Sequence, residues 1–241
     1  MKKFSIATGI LITLLLAAVS SFAQTQSRED LLKQIEAKRA ELAALEKRFL
    51  SASEQDKAKY ANFLRQPNTG LIRLLPGEKY GSNNDRKGLS ISGGGAFYSF
   101  VRLTHDYGHG SEIELANGMI STGFAGADYG ILTSLGDIPL ESVSLGTAAV
   151  QHLAAYVPPS EEPKARIEQR KWWTGETVEG ASYRNRVGLA ENSTYLLRSI
   201  NYERADALIA FRVVRLDSDD SAIILWKLLK KYPTPVLVRN N

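Results

Sequence analysis

The sequence predicts a mainly β fold, an antiparallel sandwich or partly open barrel, preceded by a long N-terminal α-helix or short coiled coil. Three observations carry this. Residues 195–231 hold three strand-like runs (YLLRSINY, ERADALIAFRVVRL and SAIILWKLLK) separated by short polar breaks, and no other stretch is as dense in β-branched and large apolar residues. Residues 67–138 add short apolar runs cut by glycines. Residues 27–65 contain neither Gly nor Pro and are rich in Ala, Leu, Glu and Lys, which are good helix formers.

The first element is a leader. Lys2 and Lys3 precede an apolar run from Phe4 to Val19, and Ser21 and Ala23 place small residues where a signal peptidase reads. This predicts a signal peptide over 1–23, a mature chain from Gln24, and a periplasmic or secreted location. With the leader removed, no transmembrane segment is expected, because no other apolar run approaches the roughly 20 residues a spanning helix needs.

Residues 24–66 are expected to be helical. Ser27 and Asp30 make a weak capping box at the start. Ile35, Leu42 and Phe49 recur every seven residues, with Leu31, Leu45 and Ala52 on the neighbouring seam, interrupted by Lys38. That pattern matches about three heptads of coiled coil and hence self-association through this helix. The alternatives are an amphipathic helix lying on its own domain, or a helical hairpin broken around Ser51-Ala52-Ser53.

Residues 67–241 form the expected β-rich domain. Leu71–Leu75, Leu89–Ile91, Ala96–Thr104, Glu112–Leu115, Met119–Thr122 and Gly130–Leu135 read as short strands, and Asn117-Gly118 is a strong hairpin-turn signal. Thr147–Tyr156 reads as a short helix. In residues 207–216 the apolar set Ala207, Ile209, Phe211, Val213 alternates with Leu208, Ala210, Arg212 and Val214. A strand that is apolar on both faces is central and covered on both sides. A reversal centred on Ser218-Asp219 pairs Phe211 with Trp226, Ile209 with Leu228 and Val213 with Ile224, all apolar pairs.

Composition excludes several chemistries. The chain of 241 residues has no cysteine, which removes disulfides, thiol nucleophiles, thiolate metal sites and a lipoprotein anchor. Lys and Arg number 30 against 26 Asp and Glu, and loss of Lys2 and Lys3 with the leader brings the balance near neutral. No nucleic-acid partner follows from such a balance. Gly93-Gly94-Gly95 lacks the spacing and the Lys-Ser or Lys-Thr of a phosphate loop, so a tight bend is the reading. The acidic turn Asp217–Asp220 lacks the glycine and distal glutamate of a calcium loop.

Three constellations remain. His105, Asp106, His109 and Glu112 gather two imidazoles and two carboxylates, yet Gly108 and Gly110 oppose the helix that would align both rings. Ser90 and Ser92 near the glycines only loosely resemble a nucleophile motif. Arg170, Lys171, Trp172 and Trp173, with Arg166, Arg184 and Arg186, form a basic aromatic cluster suited to stacking on sugars or meeting an anionic polymer. The sequence therefore predicts a non-enzymatic binding or assembly module, with a cell-envelope polymer or protein as partner and no cofactor. Its rival is an extracytoplasmic hydrolase using the His105/His109 loop or a serine of the glycine-rich segment.

Overall fold

The computed structural model describes residues 27–81, 89–108 and 110–238; the expected leader, residues 1–23, lies outside them. Contacts divide the chain into two units, meeting between Leu45 and Glu46.

The first helix, α1, spans Arg28–Phe49. The Ser27 hydroxyl accepts the Asp30 N–H at 3.1 Å and donates to the Asp30 carboxylate at 2.9 Å, so the anticipated cap is formed. The helix does not continue to Arg65. Ser51 bends its hydroxyl back to the Lys47 carbonyl at 2.7 Å, and Ser53 caps a new helix by accepting the Asp56 N–H at 3.1 Å. Serine side chains compete with the backbone ladder in this way, which is why the break falls here. Two short helices follow, α2 (Glu54–Lys59) and α3 (Ala61–Leu64). Along α1, Ile35 and Leu42 are exposed.

From residue 69 the order is β1 (Thr69–Leu74), α4 (Gly77–Tyr80), β2 (Phe97–Tyr98), β3 (Ile113–Ala116), β4 (Met119–Ser121) and β5 (Tyr129–Gly136). A single 3-10 turn at Leu140–Ser142 leads to α5 (Ala148–Ala155) and α6 (Glu162–Thr174). Then come β6 (Glu176–Val178), β7 (Ala181–Tyr183), β8 (Arg186–Gly188), β9 (Thr194–Asn201), β10 (Ala205–Leu216) and β11 (Ala222–Tyr232). The strands form a five-stranded sheet in the order β1-β11-β10-β9-β5, a four-stranded sheet β2-β3-β4-β8 and the ribbon β6-β7. Every named pair is antiparallel. The sheets are open, and no barrel closes among the described residues.

The central hairpin has the register its apolar pattern dictates. Phe211 pairs with Trp226, Val213 with Ile224 and Ile209 with Leu228, and bulges follow Leu208 and Val213. β10 is central and covered on both faces. Ala207, Ile209, Phe211 and Val213 join Tyr98, Ile113, Leu115 and Ile120 of the four-stranded sheet in one apolar cluster. Leu208 and Ala210 join Val150 and Leu153 of α5 and Ala165 and Trp172 of α6 in another. Gly70 lies opposite Trp226, and a Cβ there would fall 2.6 Å from the indole, so the missing side chain is what lets the ring lie across the strand. The acidic turn after β10 is met by cations of the protein itself: Arg73 reaches Asp219 at 2.9 Å and Lys79 reaches Asp220 at 2.5 Å.

The basic aromatic stretch, residues 166–173, is helical, because Glu162-Pro163 starts a helix and Gly175, at φ 91°, stops it. Two expected strands differ. No strand forms at Leu89–Ile91, and the long strand expected over Ala96–Thr104 shrinks to Phe97–Tyr98 and one bridge, Ser99 to Thr104. Gly93, Gly94 and Gly95 all take positive φ, which turns the chain sharply rather than extending it. The Asn117-Gly118 hairpin is formed as expected, with both residues at positive φ and Ala116 opposite Met119.

Candidate functional site

The basic aromatic cluster lies on α6, and helical geometry sorts its members. Successive residues turn by about 100°, so Trp172 enters the core while Trp173 remains 61% exposed. Lys171 is occupied by its own surroundings, with Nζ 4.4 Å from the centre of the Trp172 ring and 2.7 Å from the Glu176 carboxylate. Arg170 and Trp173 instead line a hollow of about 300 Å³ beside the helix.

Its walls come from four places in the chain. Gln169 of α6 donates to the Asp128 carbonyl at 2.9 Å, which fastens the helix to the segment entering β5. The Asn185 N–H donates to the Trp172 carbonyl at 2.9 Å, and the Asn185 carbonyl accepts the Thr122 N–H at 3.0 Å. Residue 185 thereby ties the end of α6 to the chain leaving β4. The neighbouring Arg184 exchanges backbone hydrogen bonds with Leu132 of β5 at 2.6 and 2.9 Å. A loop between β7 and β8 thus becomes the floor of the hollow, held by main-chain bonds on both sides.

That floor is polar although it is buried. Thr122 is 3% exposed, Asp128 8% and Asn185 9%. Thr122 Oγ1 and Asn185 Oδ1 have no hydrogen-bond partner among the described residues, and an unmet buried polar atom costs about 1–3 kcal/mol. Asp128 accepts the Tyr202 N–H on Oδ1 at 2.8 Å. Burial raises its pKa above the usual aspartate range, against the pull of that N–H and of Arg204 and Arg166. At the mouth, the Arg186 guanidinium lies 5.0 Å from the centre of the Trp173 ring. Neither Arg170 nor Arg186 has a carboxylate partner among the described residues.

A hydrogen-bonded chain runs from this hollow beneath α6. Tyr156 donates its hydroxyl to Glu168 at 2.8 Å, so the Tyr129 hydroxyl, 2.6 Å away, must be the donor to Tyr156. Burial raises the pKa of both phenols, which keeps them as donors. Tyr129 lines the hollow beside Trp173; Tyr156 and Glu168 line another of about 300 Å³, with Val157 and Ile167.

The other two constellations are arranged differently. The His105 Nε2 lies 2.9 Å from the Arg73 carbonyl, which can only accept, so that nitrogen carries the proton. Burial lowers the pKa of this ring, and the Tyr98 ring packs against it at 4.9 Å. Glu112 is buried, accepts the Phe100 N–H at 2.6 Å and the Ser99 hydroxyl at 3.4 Å, and is pushed up by burial to about 7. These bonds pin the turn at 99–104. His109 lies outside the described residues. Among the described residues no three His, Asp or Glu side chains are grouped to hold a metal ion. Ser90 donates its hydroxyl to Glu46 at 2.7 Å, so its near neighbour is a carboxylate rather than an imidazole.

Of the residues lining this hollow, sequence reasoning singled out Trp173 and Arg170 and did not single out Thr122, Asp128, Gln169 and Asn185. Those four come from three separate stretches of the chain and share no local motif. Comparison with known proteins finds no matching family model, no matching curated protein and no matching solved structure.

Proposed function

We propose that this chain is a non-enzymatic binding module, periplasmic or secreted, that holds one unit of a chain-like ligand in the hollow beside α6. One observation carries the reading: the exposed Trp173 indole and the Arg170 and Arg186 guanidinium groups, which have no carboxylate partner among the described residues, stand at a hollow lined by Thr122, Asp128, Gln169 and Asn185. Aromatic and Arg side chains in such a setting are typical of binding surfaces. The export reading rests on the leader at 1–23.

The test is a titration of the ¹⁵N-labelled full chain, following the indole N–H signals of Trp172, Trp173 and Trp226. Soluble neutral and acidic glycans, polyphosphate and poly-aspartate serve as probes. Saturable movement of the Trp173 signal, lost in Trp173→Phe, supports the reading. Absence of movement with every probe removes it.

The assembly half of the proposal concerns α1. Ile35 and Leu42 stay exposed in the single chain, at 46% and 45%, one heptad apart, while Phe49, the next position of that seam, already meets the Tyr80 ring at 5.8 Å. A second copy of the same helix would cover that seam as a coiled coil. Sedimentation should show a multimer that Leu42→Asp converts to monomer; a monomeric parent chain ends the coiled-coil reading.

A further inference from the structure

We propose that the unit held beside α6 is a carboxylated pyranose, a uronic-acid-type sugar within a longer glycan. This rests on the binding reading above and goes further by fixing the ligand's chemistry. Size comes first. About 300 Å³ lies at the bottom of the range for small-ligand sites, so the hollow admits one ring and leaves the rest of a chain outside.

The mouth comes next. Trp173 offers a flat apolar plate, and the C–H face of a pyranose is the apolar side of an otherwise hydroxylated ring. Arg186 stacks on the same indole and Arg170 stands one turn of α6 before it. Guanidinium groups without a carboxylate of their own match a planar carboxylate two bonds at a time, which a neutral sugar cannot supply.

The floor then selects hydroxyls. Thr122, Asp128, Gln169 and Asn185 make this wall polar rather than hydrocarbon. A hydroxyl donates and accepts at once, so a ring rich in hydroxyls suits such a wall better than an apolar group does.

Single-stranded nucleic acid also stacks on indoles, but it needs a track of cations along its backbone. Here α6 interleaves Glu162 and Glu168 with Arg166 and Arg170, and Arg166 is paired to Glu162 at 3.0 Å.

The experiment uses the full chain and the Trp173 indole signal. Probes are oligogalacturonate, the N-acetylglucosamine–N-acetylmuramic acid disaccharide, cellohexaose, poly-aspartate and oligothymidylate. One of the two carboxylated sugars should bind at least about ten-fold more tightly than cellohexaose, a difference near 1.4 kcal/mol. Whichever binds more tightly identifies an acidic exopolysaccharide or a wall glycan as the source. Arg170→Ala, at an exposed position, should erase that preference, while Asn185→Ala should weaken both acidic and neutral sugars alike. Equal binding of cellohexaose and the acidic sugars would overturn the acid assignment. Poly-aspartate or oligothymidylate binding as tightly as the acidic sugars would overturn the sugar assignment and leave the hollow as a binding site. No response to any probe would overturn both proposals.

Discussion

On one face of the five-stranded sheet, Phe211 stacks on Tyr195 at 5.2 Å and on Phe100 at 6.3 Å, and Phe100 meets Trp226 edge-on at 5.3 Å. On the other face, Arg198 is fully buried, bonded to Asp206 through two nitrogens at 2.6 and 2.8 Å and stacked on Tyr232. The first face is covered by a second sheet and the second by helices α5 and α6. The difference teaches where a site can form. Sheet-on-sheet packing brings alternate side chains together as a layer of rings and hydrocarbon. Helices bring carbonyl ends and long polar side chains to a sheet; the third Arg198 bond, to the Leu153 carbonyl at the end of α5, is an example. The polar hollow opens at the margin of this helical face.

The largest effects are expected at Phe211 and Arg198, one on each face of the sheet. Phe211→Ala should cost about 3–5 kcal/mol in denaturant unfolding with an unchanged m-value. A cost below about 1 kcal/mol would mean that the aromatic layer is not a packed core. On the helical face, Arg198→Ala should also cost about 3–5 kcal/mol, since it strands the Asp206 carboxylate in the interior. Replacing the pair together, as Arg198→Met with Asp206→Leu, should restore much of that loss. If the double variant is as unstable as the single, the pair is doing more than neutralising itself.

A smaller effect is expected at the tyrosine chain. Tyr156→Phe removes the donor to Glu168 and the acceptor of Tyr129, and should cost about 1–3 kcal/mol. No loss would show that water replaces that hydroxyl.

One pH effect is expected at Glu112, just before β3, whose folded pKa burial raises to about 7 from an ordinary value of 4.5. The folded state therefore holds its proton more tightly than the unfolded chain. Its contribution to stability is complete below about pH 4.5 and is lost as pH rises through about 7. Across that window the stability of Glu112→Gln should rise relative to the parent chain; parallel pH profiles would refute the raised value.

The smallest change in stability is expected at Trp173. Trp173→Ala should stay within about 0.5 kcal/mol, as exposed positions usually do. Its neighbour Trp172→Ala should cost about 3–5 kcal/mol. Similar costs at both would mean that α6 is rotated from the orientation described.

The elements that period and turn chemistry define were legible in the sequence. The β10–β11 register followed from which residues are apolar at alternate positions, since a slip by one would have put Phe211 and Ile209 on the wrong face. The Asn117-Gly118 hairpin followed from turn chemistry, and the short helix expected over Thr147–Tyr156 is α5. Tertiary structure decided the rest. A period of two and a short helix both put Trp172 and Trp173 on different sides, so residues 166–173 were ambiguous until Pro163 and Gly175 were seen to bound a helix against the sheet. The hollow depends on Thr122, Asp128, Gln169 and Asn185, which no spacing connects. They meet because the Asn185 backbone bonds to both Trp172 and residue 122, and main-chain hydrogen bonds carry no side-chain signature to read in advance.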